Sequence, residues 1–181
     1  MNSINALNGR VVVITGGARG MGRAYTDAFL AAGAKVVATD RSWEGVDLPA
    51  NTQDLFTADM DVTKEAEIDR AYQAALDRFG TIDVLINNAA MRQRDLFPPT
   101  GRITTLETKD ADWEKSFAVN VFGTLKVIRR FIKPMLEKQR GSVINVVSSG
   151  ILHHSRGGGT RLYGRTAEKC PTSLPRRRSR P

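Results

Sequence analysis

Apolar and polar positions change period several times along the chain, and each change marks an element. Arg10-Val-Val-Val-Ile-Thr15 is a continuous β-branched run beside glycines, the pattern of a strand buried on both faces. After a glycine cluster, Met21, Ala24, Tyr25, Ala28, Phe29 and Ala32 recur at helical spacing. Gly33 closes that helix, and Lys35-Val-Val-Ala-Thr39 reads as a second strand ending at Asp40. Strand, glycine turn, helix and strand make one βαβ unit of about 30 residues.

The rhythm continues with a strand near Leu55 to Ala58, a helix from Lys64 to Phe79 closed by Gly80, and a strand from Asp83 to Asn87. A loop from Ala89 to Thr108 leads into one long helix from Asp110 to Gln139, with Asp110 or Asp112 as acidic caps and Pro134 as a kink. A fifth strand, Ser142 to Val147, reaches Ser148 and Ser149. This alternation predicts an α/β domain, a doubly wound parallel sheet of Rossmann type in three αβα layers. Beyond Gly150 neither period persists, and Pro171 and Pro175 would interrupt a helix. The expected organisation is one domain over residues 1–166 and a basic, Pro/Arg-rich tail over 167–181 without order.

Charge supports that division. The 181 residues carry a formal charge of +8, but residues 161–181 hold seven basic side chains against Glu168, a net +6, leaving +2 for residues 1–160. The body is near neutral, and the Arg176-Arg177-Arg178-Ser-Arg180 cluster has no interleaved aromatics, so specific nucleic-acid recognition is not expected. The longest apolar runs fall far short of the ~20 residues that cross a bilayer. The amino terminus shows no basic start, apolar stretch or cleavage site, so no membrane association and a cytoplasmic location are expected. Cys170 is the one cysteine, and His153 and His154 have no third ligand at metal spacing, so neither a disulfide framework nor a metal site is expected.

Candidate chemistry begins at Thr15-Gly-Gly-Ala-Arg-Gly-Met-Gly22, between the first strand and first helix. There a glycine-rich turn lets backbone amides and the positive helix end approach a pyrophosphate. Asp40, about 20 residues on, is placed to accept hydrogen bonds from both hydroxyls of an adenosine ribose and to repel a 2′-phosphate. NAD is therefore favoured over NADP, while Arg19 and Arg41 keep NADP open as the lesser alternative.

From residue 9 to about 166 the chain resembles the short-chain dehydrogenase/reductase family, in the order that family uses. Thr15-Gly16-x-x-x-Gly20-x-Gly22 is similar to its cofactor turn, which implies dinucleotide contacts from Gly16, Arg19, Gly20, Met21 and Gly22. Asp61-Val62 resembles the pair that recognises adenine. Asn87-Asn88-Ala89-Ala90 resembles the Asn-Asn-Ala-Gly stretch, bringing Asn88 and Ala89 to the cofactor, with Ala90 in place of the usual glycine. Asn120 resembles the asparagine that supports a water and a lysine in the proton relay. Ser149 and Tyr163 resemble the catalytic serine and tyrosine. The resemblance implies hydride transfer between a nicotinamide and a small secondary alcohol or ketone, with Ser149 holding the substrate oxygen and Tyr163 exchanging its proton. It also implies pairing into homo-oligomers through the long helix 110–139.

The family's lysine, four residues after the tyrosine, is Ala167 here. A phenol of pKa ~10 needs roughly 4 kcal/mol of selective phenolate stabilisation to fall by about 3 units, and a nearby cation supplies most of it. Lys169, six residues on, would lie about 240° around a helix rather than about 40°. The two further strands that the resemblance implies are not readable after Thr166. The expectation is an incomplete domain, truncated after the tyrosine, with a tail of out-of-frame sequence following a deletion, an insertion or an erroneous gene model; the alternative is a natural short paralogue. Two readings stand: a working oxidoreductase, or a dinucleotide-binding remnant impaired by the missing lysine.

Overall fold

The computed structural model describes residues 7–47, 51–91 and 109–147. The chain divides into two units, 1–91 with 115–146 and 92–114 with 147–181. In the second, the described residues include the start of a helix, where the Asp112 N–H donates to Lys109 O (3.0 Å). Asp110 and Asp112 both fall in that helix's first turn, where a carboxylate favours the positive end.

The first unit is built on a parallel five-stranded sheet. The elements of the chain run β1 (Val11–Thr15), α1 (Gly20–Ala31), β2 (Lys35–Asp40), β3 (Leu55–Asp59), α2 (Glu65–Phe79) and β4 (Val84–Asn87). There follow α3 (Asp110–Phe117), a π-helical turn (Ala118–Gly123), α4 (Thr124–Phe131), α5 (Lys133–Glu137) and β5 (Ser142–Asn145). The strand order is β3-β2-β1-β4-β5, with Ile14 opposite Ala38 on one side and Ile86 on the other. This is the expected Rossmann-type, doubly wound sheet.

The β-branched run of β1 divides by strict alternation. Val11 and Val13 join Val37 and Leu85 in a core closed by Ile68, Tyr72 and Ala75 of α2 and by Val127 and Phe131 of α4. Val12 and Ile14 join Val36, Ala38 and Ile86 in a second core covered by Tyr25, Phe29 and Leu30 of α1. All five β1 residues are buried, and each such aliphatic side chain contributes about 1.5–3 kcal/mol by leaving water. Tyr72 and Phe131 meet edge-to-face at 5.5 Å, and the Arg130 guanidinium lies 4.2 Å from the Tyr72 ring centre while pairing with Asp69 at 2.8 Å.

Helix ends follow the glycines. Gly33 (φ +80°) and Gly80 (φ +76°) take the left-handed conformation just beyond α1 and α2, and the Gly80 N–H donates to Leu76 O at 2.7 Å. At the opposite end of the sheet from the glycine turn, Asp83 accepts from Val11 N–H (2.9 Å), Lys138 Nζ (2.7 Å) and Arg10 (3.3 Å). Burial pushes its carboxyl up, but the Lys138 hydrogen bond and charge, the Val11 amide and Arg10 outweigh it and hold Asp83 below the usual carboxylate range.

The single helix expected from Asp110 to Gln139 is broken twice. Gly123 packs on Val62, where a Cβ would come within 2.7 Å of Val62 Cγ2, and the Thr124 hydroxyl donates back to Asn120 O (3.2 Å), so the middle widens into the π turn. Pro134 offers no N–H, and α5 starts afresh around it. β5 ends at Asn145 rather than Val147, although the Val146 N–H still donates to Asn87 O (2.9 Å). No helix among the described residues is long and apolar enough to cross a membrane.

Candidate functional site

The order β3-β2-β1-β4-β5 reverses direction at β1, so the carboxyl ends of β1 and β4 flank the switch point where doubly wound sheets open a crevice. The turn after β1 lies there. Gly16 (φ +68°) and Gly20 (φ +58°) hold left-handed backbone. A Cβ on Gly22 would collide with the Gly16 carbonyl oxygen, and one on Gly17 would come within 2.9 Å of Ala38 Cβ. Gly17, one residue of the glycine cluster, thus seats the turn on β2 at Ala38.

The start of α1 suits an anion. Arg19 makes no side-chain cap, the first turn carries no acid, and nothing stands within 4 Å of where a Gly20 Cβ would project. Met21 beside it is 61% exposed, a large apolar side chain left at the mouth of the turn.

Thr15 and Asn88 join the turn to the end of β4. The Thr15 hydroxyl oxygen accepts from Asn88 N–H and Ala89 N–H, both at 3.0 Å. The Asn88 amide donates to Thr15 O (3.0 Å) and Gly16 O (3.1 Å). Asn88 thus fixes the shape of the turn by bonding its carbonyls. Thr15, which opens the glycine motif in the sequence, is the centre of the junction, a role that the motif does not announce. Ala90 needs no left-handed backbone, since Gln139 is the one non-glycine with positive φ among the described residues.

Asp40 closes β2. One carboxylate oxygen accepts from Ala18 N–H (3.0 Å) and the other from Ser42 N–H (3.5 Å), leaving lone pairs on both. Arg19 reaches Ser42 O (3.3 Å) and Glu44 O (3.2 Å). Arg41 is exposed and makes no hydrogen bond or ion pair among the described residues.

Asp61 and Val62 follow β3. Asp61 Oδ1 accepts from the Thr63 N–H (2.9 Å) and hydroxyl (2.8 Å), and the Asp61 N–H donates to Glu67 (2.8 Å), which shapes the entry to α2. Val62 is buried in the core against Gly123.

Asn120 sits in the π turn. Its Oδ1 accepts from Met91 N–H (2.8 Å), and its Nδ2 donates to Met91 O (3.1 Å) and Ser116 Oγ (3.3 Å). The side chain pins the segment leaving β4 as a strand partner would, a pairing that no sequence pattern announces. Ser149 and Tyr163 lie outside the described residues, as do Ser148, Ala167 and the 167–181 tail.

A family model described as short chain dehydrogenase matches residues 10–161. Fluoren-9-ol dehydrogenase of Terrabacter sp. (strain DBF63) is 54% identical over 156 residues, spanning 83% of this chain and 43% of the relative. Sorbitol dehydrogenase of Cereibacter sphaeroides is 37% identical over 147 residues, spanning 78% and 54%. The chain thus spans about half the length of the curated relatives it matches. Among solved structures, a short-chain dehydrogenase from Streptomyces avermitilis superposes with a TM-score of 0.74 at 29% identity, covering 89% of this chain and 57% of the other. ElxO with NADP bound gives 0.72 at 26% identity, covering 88% and 63%.

Proposed function

The chain belongs to the short-chain dehydrogenase family, and from that premise we propose that it binds NAD in the crevice of the glycine turn and descends from enzymes that interconvert secondary alcohols and ketones. The observation that carries the reading is the joint geometry of an acid-free, uncapped α1 start, two left-handed glycines and the half-buried Asp40 carboxylate. Backbone amides of residues 16–22 would hold the pyrophosphate and Asp40 the adenosine ribose, with Asp61-Val62 near the adenine and Asn88-Ala89 near the nicotinamide side. A carboxylate at position 40 repels a 2′-phosphate, which favours NAD over NADP.

A bound nicotinamide supplies or accepts hydride. The chain's own part is to orient and to move a proton: Ser149 hydrogen-bonds the substrate oxygen, Tyr163 exchanges the hydroxyl proton, and Asn120 supports a water in the proton relay. The relative named for fluoren-9-ol favours a secondary alcohol flanked by aromatic rings as the small-molecule substrate. Helix 110–139, broken as it is, remains the face proposed for homo-oligomer pairing, and residues 1–166 the domain that carries the function.

Ala167 favours a second reading, in which the dinucleotide binds and turnover is lost. Without a lysine at position 167, the cation that would stabilise a Tyr163 phenolate is missing, and proton exchange at neutral pH is poor. Titration with NADH and NADPH, beside turnover of fluoren-9-ol and a ketone panel, separates the readings. Binding with turnover supports the working enzyme, binding without turnover the remnant, and failure to bind either nucleotide at millimolar concentration overturns both. Under the remnant reading, Ala167→Lys raises turnover where the substrate side still forms.

A further inference from the structure

The segment after β2 is held down by two arginines from the neighbouring turn and helix. Arg19 donates to Ser42 O and Glu44 O at 3.3 and 3.2 Å. One helical turn on, Arg23 donates to Asp47 O at 2.6 Å, and its Nε is oriented by the Asp27 carboxylate at 2.9 and 3.0 Å. Three carbonyls of residues 42–47 therefore accept from two guanidinium groups. The same segment is tied at its base, where Ala18 and Ser42 N–H groups bracket the Asp40 carboxylate. Between the two Arg19 acceptors, Trp43 packs on the core beneath α1. Within the segment, Gly45 takes φ +67°, the Val46 N–H donates to Trp43 O (3.1 Å) and the Glu44 N–H to Ser42 Oγ (3.3 Å), local bonds that shape the turn without tying it to α1.

We propose that Arg19, acting with Arg23, is a positioning residue for the adenosine end of a bound dinucleotide: it clamps residues 42–47 against the glycine turn and is not the ligand of a 2′-phosphate. This rests on the dinucleotide reading above. A guanidinium already bonded to two carbonyls must release them to reach a phosphate, whereas Arg41, exposed and unengaged among the described residues, need release nothing. The clamp works through population. Apparent affinity falls in proportion to the fraction of molecules whose binding surface is in place, so loosening residues 42–47 weakens every ligand that uses Asp40.

The test compares Arg19→Gln, Arg19→Lys, Arg23→Met and the Arg19/Arg23 double variant in the full chain. NADH, NADPH and ADP-ribose affinities are measured beside hydrogen exchange of the peptide covering residues 41–47 in ligand-free protein. Arg19→Gln is expected to weaken all three ligands by a similar factor, about fivefold, leaving the NADH to NADPH ratio unchanged. Exchange in 41–47 should quicken several-fold while other peptides hold. Arg19→Lys keeps the charge but loses the planar fork, so it should resemble Arg19→Gln. The double variant should fall short of the product of the singles, because both arginines hold one segment. Selective loss of NADPH, rescued by Arg19→Lys, would make Arg19 a phosphate ligand and overturn the proposal. So would unchanged exchange in 41–47. If the wild-type chain binds no nucleotide, the dinucleotide reading fails by itself, and the exchange data still decide whether the clamp exists.

Discussion

Asn88 donates to Thr15 twice: its backbone N–H to the threonine hydroxyl oxygen and its side-chain amide to the Thr15 carbonyl, each at 3.0 Å. The last residue of β1 and the first beyond β4 thus form one rigid corner under the glycine turn. Thr15 is buried and its hydroxyl serves two N–H groups. Thr15→Val keeps the shape and strands both donors, at a cost on the order of 2 kcal/mol. Urea unfolding should show that loss, and Thr15→Ser should recover most of it.

Gly20 and Gly22 separate two demands that one motif combines. Gly22→Ala drives a methyl into the Gly16 carbonyl, a backbone atom that cannot yield without moving the turn. NADH affinity is expected to fall more than tenfold. Gly20→Ala meets open space and bears only the strain of φ +58°, about 1 kcal/mol. It should lower the melting temperature modestly and leave NADH affinity within a few-fold. Isothermal titration of both variants checks the order; equal losses would mean that conformation, not collision, governs the turn.

Much of this fold is written in local pattern. Strands buried on both faces must be continuous apolar runs, so Val11 to Ile14 and Val36 to Ala38 announce themselves, and glycines such as Gly33 and Gly80 mark helix ends because few other residues adopt their backbone cheaply. What stayed hidden depends on partners far along the chain. The π turn arises where Gly123 meets Val62, and the periodicity of residues 110–139 carries no trace of that contact. Asn120 pairs with a backbone segment, Met91, whose identity is immaterial to the bond. Arg19 reads as a phosphate ligand because basic side chains beside glycine turns invite that reading, and its bonds to the Ser42 and Glu44 carbonyls have no sequence signature. For Asp61, the local Asx-type bonds to Thr63 take one carboxylate oxygen that the motif alone left unassigned.

Asp83 provides a pH test remote from the candidate site. Its carboxyl is held below the usual range against the opposing effect of burial, by Lys138, the Val11 amide and Arg10. A depressed carboxyl stabilises the folded state at pH values above its unfolded pKa, about 3.9, and that contribution is lost as pH falls through the lower folded value. Asp83→Asn is therefore expected to cost on the order of 2 kcal/mol at pH 7, with the gap to wild type closing below about pH 4. Urea midpoints at pH 7, 5, 4 and 3 measure this. A gap that persists undiminished at pH 3 would assign the effect to shape and not to charge.

Asp40 offers the sharpest test of cofactor preference, because its carboxylate has two separable duties. One oxygen already accepts the Ala18 N–H and so supports the turn; the remaining lone pairs are those proposed to accept from the ribose hydroxyls. Asp40→Asn keeps an acceptor for Ala18 and removes the negative charge that would repel a 2′-phosphate. NADH affinity should drop by about tenfold, the loss of a charged hydrogen bond worth ~1.5 kcal/mol, while NADPH affinity holds or rises, with Arg41 free to pair with the phosphate. Raising salt should weaken the variant's NADPH binding more than its NADH binding, since the new attraction is between exposed charges. Parallel loss of both nucleotides would mean that Asp40 acts through the turn and leaves the ribose to other groups.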